Sequence, residues 1–282
     1  PRLIWQLQSA RQGSLQEVYQ IVVGTDKSEV LQGKGNSWES GTVNSAILPV
    51  VYQGSKLKPF TRYFWRVRIQ DDEGAWSDWS PVAYFETGMM DQRNWKGKWI
   101  TDTYDYNIKP APYFRKEFST EKTIQSARAY IAVAGLYEIY INGKRIGDHR
   151  LDPTYTRFDR RNLYVTYDVT KNLQTDENAI GVLLGNGWYN HQSTAIWYFD
   201  KAPWRARPKF CMDLRITYTD GSVETITTGQ DWKTTLSPVI FNSIYTAEHY
   251  DARLEQPGWN EPGFTGENWK NAMRTSAPSQ NI

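Results

Sequence analysis

The chain has 282 residues, 39% of them apolar and 23% charged, and Lys plus Arg exceed Asp plus Glu by two. That length holds one large domain or two ordinary ones, and the composition excludes a disordered tail. Near-balanced charge gives no nucleic-acid stripe, and no apolar run approaches the roughly 18 residues of a membrane-spanning helix, so neither nucleic acid nor membrane is expected as a partner.

Residues 1–88 read as a small β-sandwich. Tyr19-Gln-Ile-Val-Val23 is strand-like, Trp38-Glu-Ser-Gly41 reads as a turn, and Leu57 to Tyr63 runs into Phe64-Trp-Arg-Val-Arg-Ile-Gln70. Short strands with turn signals between them, in fewer than 90 residues, predict a seven-strand sandwich. The pattern Leu57, Pro59, Thr61, Tyr63 resembles the approach to the tyrosine corner of fibronectin type III domains, where the Tyr hydroxyl bonds back to backbone. Arg66 and Arg68 share a face of their strand and can interleave with Trp76 and Trp79 of Trp76-Ser-Asp-Trp-Ser80. That WSxWS sequence is similar to the motif of cytokine-receptor domains, which implies either a protein-interaction module or a ladder that stiffens the sandwich. The stiffening ladder is the favoured reading, since receptor ectodomains carry disulfides and this chain has only Cys211.

Residues 89–112 read as a linker. Trp95 and Trp99 are expected to pack, Pro110 and Pro112 mark the approach to the next sheet, and Asp102 and Asp105 read as solvated loop carboxylates. The chain begins at Pro1 and is read as an excised piece of a longer protein.

From 113 to 282 strand-like runs recur at 113–118, 127–133, 136–141, 163–168, 179–184, 210–218 and 223–227. Leu136 to Ile141 alternates between two faces, and Asn142-Gly143 predicts a type I′ hairpin behind it. Asp220-Gly221 is a second hairpin signal, and residues 168–173 suggest one short helical turn. No helical period persists for three turns. The fold class is therefore all-β: an Ig/fibronectin type III-like sandwich followed by a jelly-roll, galactose-binding-like sandwich. Cys211, in an apolar run, reads as an inert core thiol.

Leu136-Tyr-Glu-Ile-Tyr-Ile-Asn-Gly-Lys-Arg-Ile-Gly-Asp148, Tyr164 to Thr170, Glu177 to Gly181, Leu184-Gly-Asn-Gly-Trp-Tyr189, Tyr250-Asp-Ala-Arg-Leu-Glu255 and Pro257-Gly-Trp259 resemble, in that order, the N-terminal β-sandwich of bacterial α-L-rhamnosidases of glycoside hydrolase family 78. The resemblance implies that this chain is a non-catalytic front region. The acid and base carboxylates would sit on an (α/α)₆ barrel elsewhere in the same parent chain, which becomes the expected partner, and hydrolysis of terminal α-L-rhamnose would proceed by inversion. It also implies a bacterial parent exported to the periplasm or cell surface. Some relatives bind rhamnose through calcium, using an Asp-Asn pair just before the hairpin. Ala134 and Gly135 stand there in this chain and offer no side-chain oxygen, so that site is not carried over and no cofactor or metal is expected.

Carboxylate pairs that might serve a glycosidase are Asp148 with Asp152 and Glu248 with Asp251, all placed in turns. His149, His191 and His249 are scattered, without zinc-ligand spacing. The strongest functional candidate is the loop from Gly185 to Pro208, where aromatic faces stand among polar edges. Trp188, Tyr189, Asn190, Trp197, Tyr198, Trp204 and Arg205 are its candidate contacts for a rhamnose-containing glycan, and the competing reading is that the rings pack against neighbouring domains. Trp259 and Trp269 are read as packing residues.

Overall fold

The computed structural model describes residues 1–193 and 197–282, in two compact units, Pro1–Asn94 and Trp95–Ile282. In the first unit β1 (Arg2–Leu3) pairs with β5 (Val50–Val51). A second sheet has the order β3 (Trp38–Glu39), β2 (Gln16–Gly24), β6 (Arg62–Asp71), β7 (Ala83–Glu86), with β4 (Val43–Asn44) also on β2. Tyr19, Ile21 and Val23 of β2 and Tyr63 and Val67 of β6 face inward, against Leu3 and Val50 of the smaller sheet. The period of two places Arg66 and Arg68 on the opposite face, where Arg66 lies over Trp79 at 5.3 Å and Arg68 over Trp76 and Trp79 at 5.0 and 4.9 Å. The Tyr63 hydroxyl accepts from the backbone N–H of Lys58 at 2.9 Å, closing the tyrosine corner. Trp38–Glu39 differs from the expected turn: it is a short strand opposite Val22 and Val23, because the Trp38 side chain packs on the same core.

The second unit is a sandwich of two six-stranded sheets. One runs β13 (Tyr164–Asp168), β10 (Ile124–Ala134), β15 (Lys209–Tyr218), β8 (Ile100–Thr101), β21 (Met273–Arg274), with β16 (Val223–Thr227) also paired to β15. The other runs β12 (Lys144–Arg145), β11 (Leu136–Ile141), β14 (Asp176–Gly185), β9 (Pro112–Thr120), β17 (Lys233–Leu236), β20 (Lys270–Asn271). A separate hairpin joins β18 (Val239–Ser243) to β19 (Ala247–Tyr250). Ile131, Val133, Met212 and Leu214 of the first sheet meet Ile139, Ile141, Ile180 and Val182 of the second in the main core. Asn142 and Gly143 both take positive φ (50° and 77°), as a type I′ turn requires. Segment 168–173 makes a single turn, the Asn172 N–H donating to the Val169 carbonyl at 3.0 Å.

Within residues 89–112 the chain enters this second unit. Ile100 is fully buried and pairs with Phe210 and Arg274. Asp102 departs from the expected solvated loop carboxylate. It is buried against Arg207, which donates to it from Nε at 3.0 Å and from Nη2 at 2.7 Å, while the same guanidinium bonds the carbonyls of Ile108 and Pro110.

Candidate functional site

Two places in the second unit gather aromatic and polar side chains: the Gly185–Pro208 loop and the outer face of the sheet containing β11, β14 and β9. Residues 194–196 of the loop lie outside the described residues.

The loop covers the outer face of the sheet containing β10 and β15. Small residues there, Ala132, Ala134 and Cys211, leave room for a second apolar cluster with Trp99, Phe158 and Tyr189, against which Trp188 and Trp204 also pack. Tyr189 is 2% exposed and edge-on to Phe158 at 5.1 Å, and burial raises its phenol pKa well above the usual range. Tyr155 meets Trp188 at 5.6 Å and Phe199 at 5.9 Å. Asn190 is fully buried; its Nδ2 donates to the Tyr106 carbonyl and to Asn186 Oδ1, and its Oδ1 accepts from Arg205 Nε at 3.1 Å. Arg205 also lies 4.8 Å from the Tyr106 ring. Tyr189, Asn190 and Arg205 thus hold the loop to its own unit, and the structure brings Trp188 and Trp204 into the same cluster. Trp197 and Tyr198 stand apart from it, 72% and 62% exposed.

Of the sequence signals that might have suggested chemistry, Asp152, Asp251 and His191 have structural employment, while Asp148, Glu248 and His249 are exposed. Asp148 is solvent-facing, while Asp152 accepts from the Tyr167 hydroxyl at 3.2 Å. Asp251 caps a short turn, and hydrogen bonds from Arg253 lower its pKa to about 2. His191 is buried beside Ser193 and edge-on to Tyr245, and His249 is exposed beside Phe241. Among the described residues no group of three or more His, Cys, Asp or Glu converges as a metal site. The calcium position of some relatives does not fit either. Ala134 is inside an apolar cluster, and a Cβ on Gly135 would stand 2.4 Å from the Gly185 carbonyl oxygen, so no side chain has room there.

The other sheet face is organised by its register. Glu138 opposes Leu183, which opposes Tyr113; one step along, Tyr140 opposes Gly181, which opposes Arg115. Facing residues share a face, so these two rows point outward while Ile139, Val182 and Phe114 point into the core. Gly181 leaves the space in which the Trp259 indole lies, 3.9 Å from Tyr113 in a stacked arrangement and 5.6 Å from Tyr140 edge-on. Arg115, almost buried, fastens that segment by donating to the carbonyls of Trp259 and Glu261. The row of Glu138, Leu183 and Tyr113 is left as the floor of a concave groove of about 450 Å³, walled by the β18–β19 hairpin and by Arg145, Arg150 and Leu151. Glu138 accepts from the Tyr140 hydroxyl at 2.6 Å and lies 3.3 Å from Arg145. Burial raises the Tyr113 and Tyr140 phenols, and both stay neutral at physiological pH. The alternation in the sequence marks most of these residues as strand positions but not as a site, because the wall comes from a hairpin some 100 residues away with no strong turn dipeptide.

The chain matches two family models: the alpha-L-rhamnosidase N-terminal domain over residues 122–282, and the Rha78A-like, N-terminal immunoglobulin domain over residues 1–91. An α-L-rhamnosidase of Formosa agariphila is 32% identical to it over 309 aligned residues, covering 100% of this chain and 32% of that protein. One of Alteromonas sp. is 33% identical, covering 95% of this chain and 30% of that protein. Among solved structures, the α-L-rhamnosidase from Dictyoglumus thermophilum superposes with a TM-score of 0.90 at 40% identity, over 97% of this chain and 32% of its own. The Streptomyces avermitilis α-L-rhamnosidase complexed with L-rhamnose shares the fold, with a TM-score of 0.92 at 22% identity over 99% of this chain and 43% of its own. The chain spans about a third of the length of the curated relatives it matches.

Proposed function

The chain belongs to the α-L-rhamnosidase N-terminal domain family, and from that premise we propose that it is the non-catalytic accessory region of an enzyme that hydrolyses terminal α-L-rhamnose from glycosides. A catalytic barrel of the same parent chain is its partner in this reading. One observation carries the proposal: the match extends over the whole of this chain yet over a third of each relative, and it falls on domains described as N-terminal. The carboxylates support it. A glycosidase needs two carboxyl groups about 5–9.5 Å apart across one glycosidic bond. Asp251 is held by Arg253, Asp152 by Tyr167, Asp102 by Arg207 and Glu138 by Tyr140 and Arg145. The expected result is that the 282-residue chain, folded by circular dichroism, releases no phenol from an aryl α-L-rhamnoside. Turnover that disappears in Glu138→Gln or Glu248→Gln overturns the proposal.

A second reading, a carbohydrate-binding module, is favoured by the exposure of Trp197 and Tyr198 on the long loop. It requires calorimetric binding of a rhamnoside that is lost in Trp197→Ala. No heat at millimolar sugar removes it.

A further inference from the structure

Of the segments that resemble the rhamnosidase front region, Tyr250-Asp-Ala-Arg-Leu-Glu255 is the one that the fold leaves outside. Each of the others sends a side chain into the interior: Ile139, Val169, Ile180, Leu184 and Trp259 are all buried. Within residues 250–255 none is buried; Tyr250 is 51% exposed and Leu254 49%, and neither joins an apolar cluster. A lone exposed Leu needs no explanation, but this one stands on a corner whose polar groups are all turned to holding its shape.

The corner is built from short local bonds. The Asp251 N–H donates to the Pro238 carbonyl at 2.9 Å, and the Leu254 N–H to the Asp251 carbonyl at 3.0 Å. Asp251 Oδ1 accepts from the Arg253 N–H at 3.1 Å, while the Arg253 guanidinium donates to both carboxylate oxygens at 2.8 and 2.6 Å. The Tyr250 hydroxyl donates to Glu255 at 2.7 Å. Polar side chains are thereby committed to the corner itself, and the Tyr250 ring and Leu254 side chain are left facing water. A preformed corner with two apolar anchors loses little conformational freedom on docking, which favours a protein contact. Just before it, β19 pairs with β18 alone, so its outer edge presents backbone N–H and C=O groups as well. Arg253 and Leu254 stand outside the groove, without the enclosure that a small ligand requires.

The occupant follows from what the matched relatives have in addition. Each carries about two-thirds of its chain beyond the region it shares with these 282 residues. A motif that resembles the family yet enters neither core of this chain is accounted for by a surface on that remainder. We propose that the Tyr250–Glu255 corner and the outer edge of β19 dock on the part of the parent polypeptide outside residues 1–282, with the Tyr250 ring and the Leu254 side chain seated in an apolar recess there. This rests on the proposed function for the existence of a longer parent, and not for its chemistry.

The test is hydroxyl-radical footprinting, read by mass spectrometry, on the 282-residue chain and on the full-length parent. Tyr250 and Leu254 should be labelled in the 282-residue chain and lose most of that labelling in the parent. Leu254→Asp, which puts a charge where an anchor sits, should leave the melting temperature of the 282-residue chain unchanged and restore labelling of Tyr250 in the parent. If the variant parent does not fold, the native pair decides. Equal labelling in the two native proteins overturns the proposal, and so does protection that persists in the folded Leu254→Asp parent. A 282-residue chain that sediments as a dimer with Tyr250 already protected makes a second copy the occupant and overturns it too. A parent that hydrolyses no α-L-rhamnoside yet protects the corner overturns the proposed function and leaves the docking surface standing.

Discussion

Arg207 holds a full charge where water does not reach, and Asp102 is its counter-ion, 105 residues earlier in the chain. Removing one partner of such a pair leaves an uncompensated buried charge, which costs about 3–5 kcal/mol. Asp102→Ala should therefore lower the urea midpoint of the second unit by an amount corresponding to that range. A loss below about 1 kcal/mol would mean that the guanidinium reaches water. His191 gives the residue scale its pH dependence. Burial lowers its pKa, with Asp200 opposing and Arg205 reinforcing the shift. The unfolded chain consequently takes up this proton first as pH falls through about 6.5, and stability drops until the folded pKa is passed. Thermal melts between about pH 7.5 and 5.5 should show a steeper fall for the native chain than for His191→Gln; parallel curves would remove His191 from the account. Burial likewise pushes the Cys211 thiol up to about 12, so a thiol reagent should modify it only after unfolding. None of these partners could be read from the sequence. Asp102 looks like a loop carboxylate because nothing within ten residues of it identifies Arg207.

At the scale of elements, Gly181 shows how a strand position is chosen by what lies above it. A Cβ there would come within 2.8 Å of the Trp259 ring and 2.7 Å of the Asn260 Cβ, so Gly181→Ala must displace the loop that Arg115 fastens. Overpacking of this kind costs about 1–3 kcal/mol. The expected outcome is a lower melting temperature accompanied by a red shift of Trp fluorescence as Trp259 leaves Tyr113. An unchanged spectrum would show that the indole does not depend on the gap. Seven runs in residues 113–227 were legible as strands because each keeps a period of two, or a continuous apolar stretch, for five residues or more. The pairings Lys233–Leu236 with β9 and Val239–Ser243 with Ala247–Tyr250 were not, since these strands are only four or five residues long and keep no period of two, and tertiary pairing rather than local preference makes them. The groove was illegible for the same reason: one of its walls is such a hairpin.

At the scale of the whole chain, two separate cores imply two separately folding pieces, and where the second piece starts is decided by residues 95–112. Leu3, Ile21, Val23 and Val67 form one core and Ile131, Ile139, Val182 and Leu214 another, with no residue shared. The segment before Tyr113 belongs to the second of these. Trp99 is in the apolar cluster under the loop, Ile100 joins β15 to β21, and Asp213 accepts the backbone N–H groups of Lys96 and Gly97 at 2.9 and 2.7 Å. A polypeptide of residues 95–282 should accordingly fold alone, with a cooperative urea transition and near-ultraviolet dichroism from its packed rings. One starting at 113 loses Ile100 and Asp102 together, leaving β15 with an unpaired position and Arg207 with a buried charge, and it should be insoluble or melt without cooperativity. Equal, cooperative transitions for the two polypeptides would show that the sheet closes without Ile100–Thr101, and that the ion pair is dispensable to the sandwich.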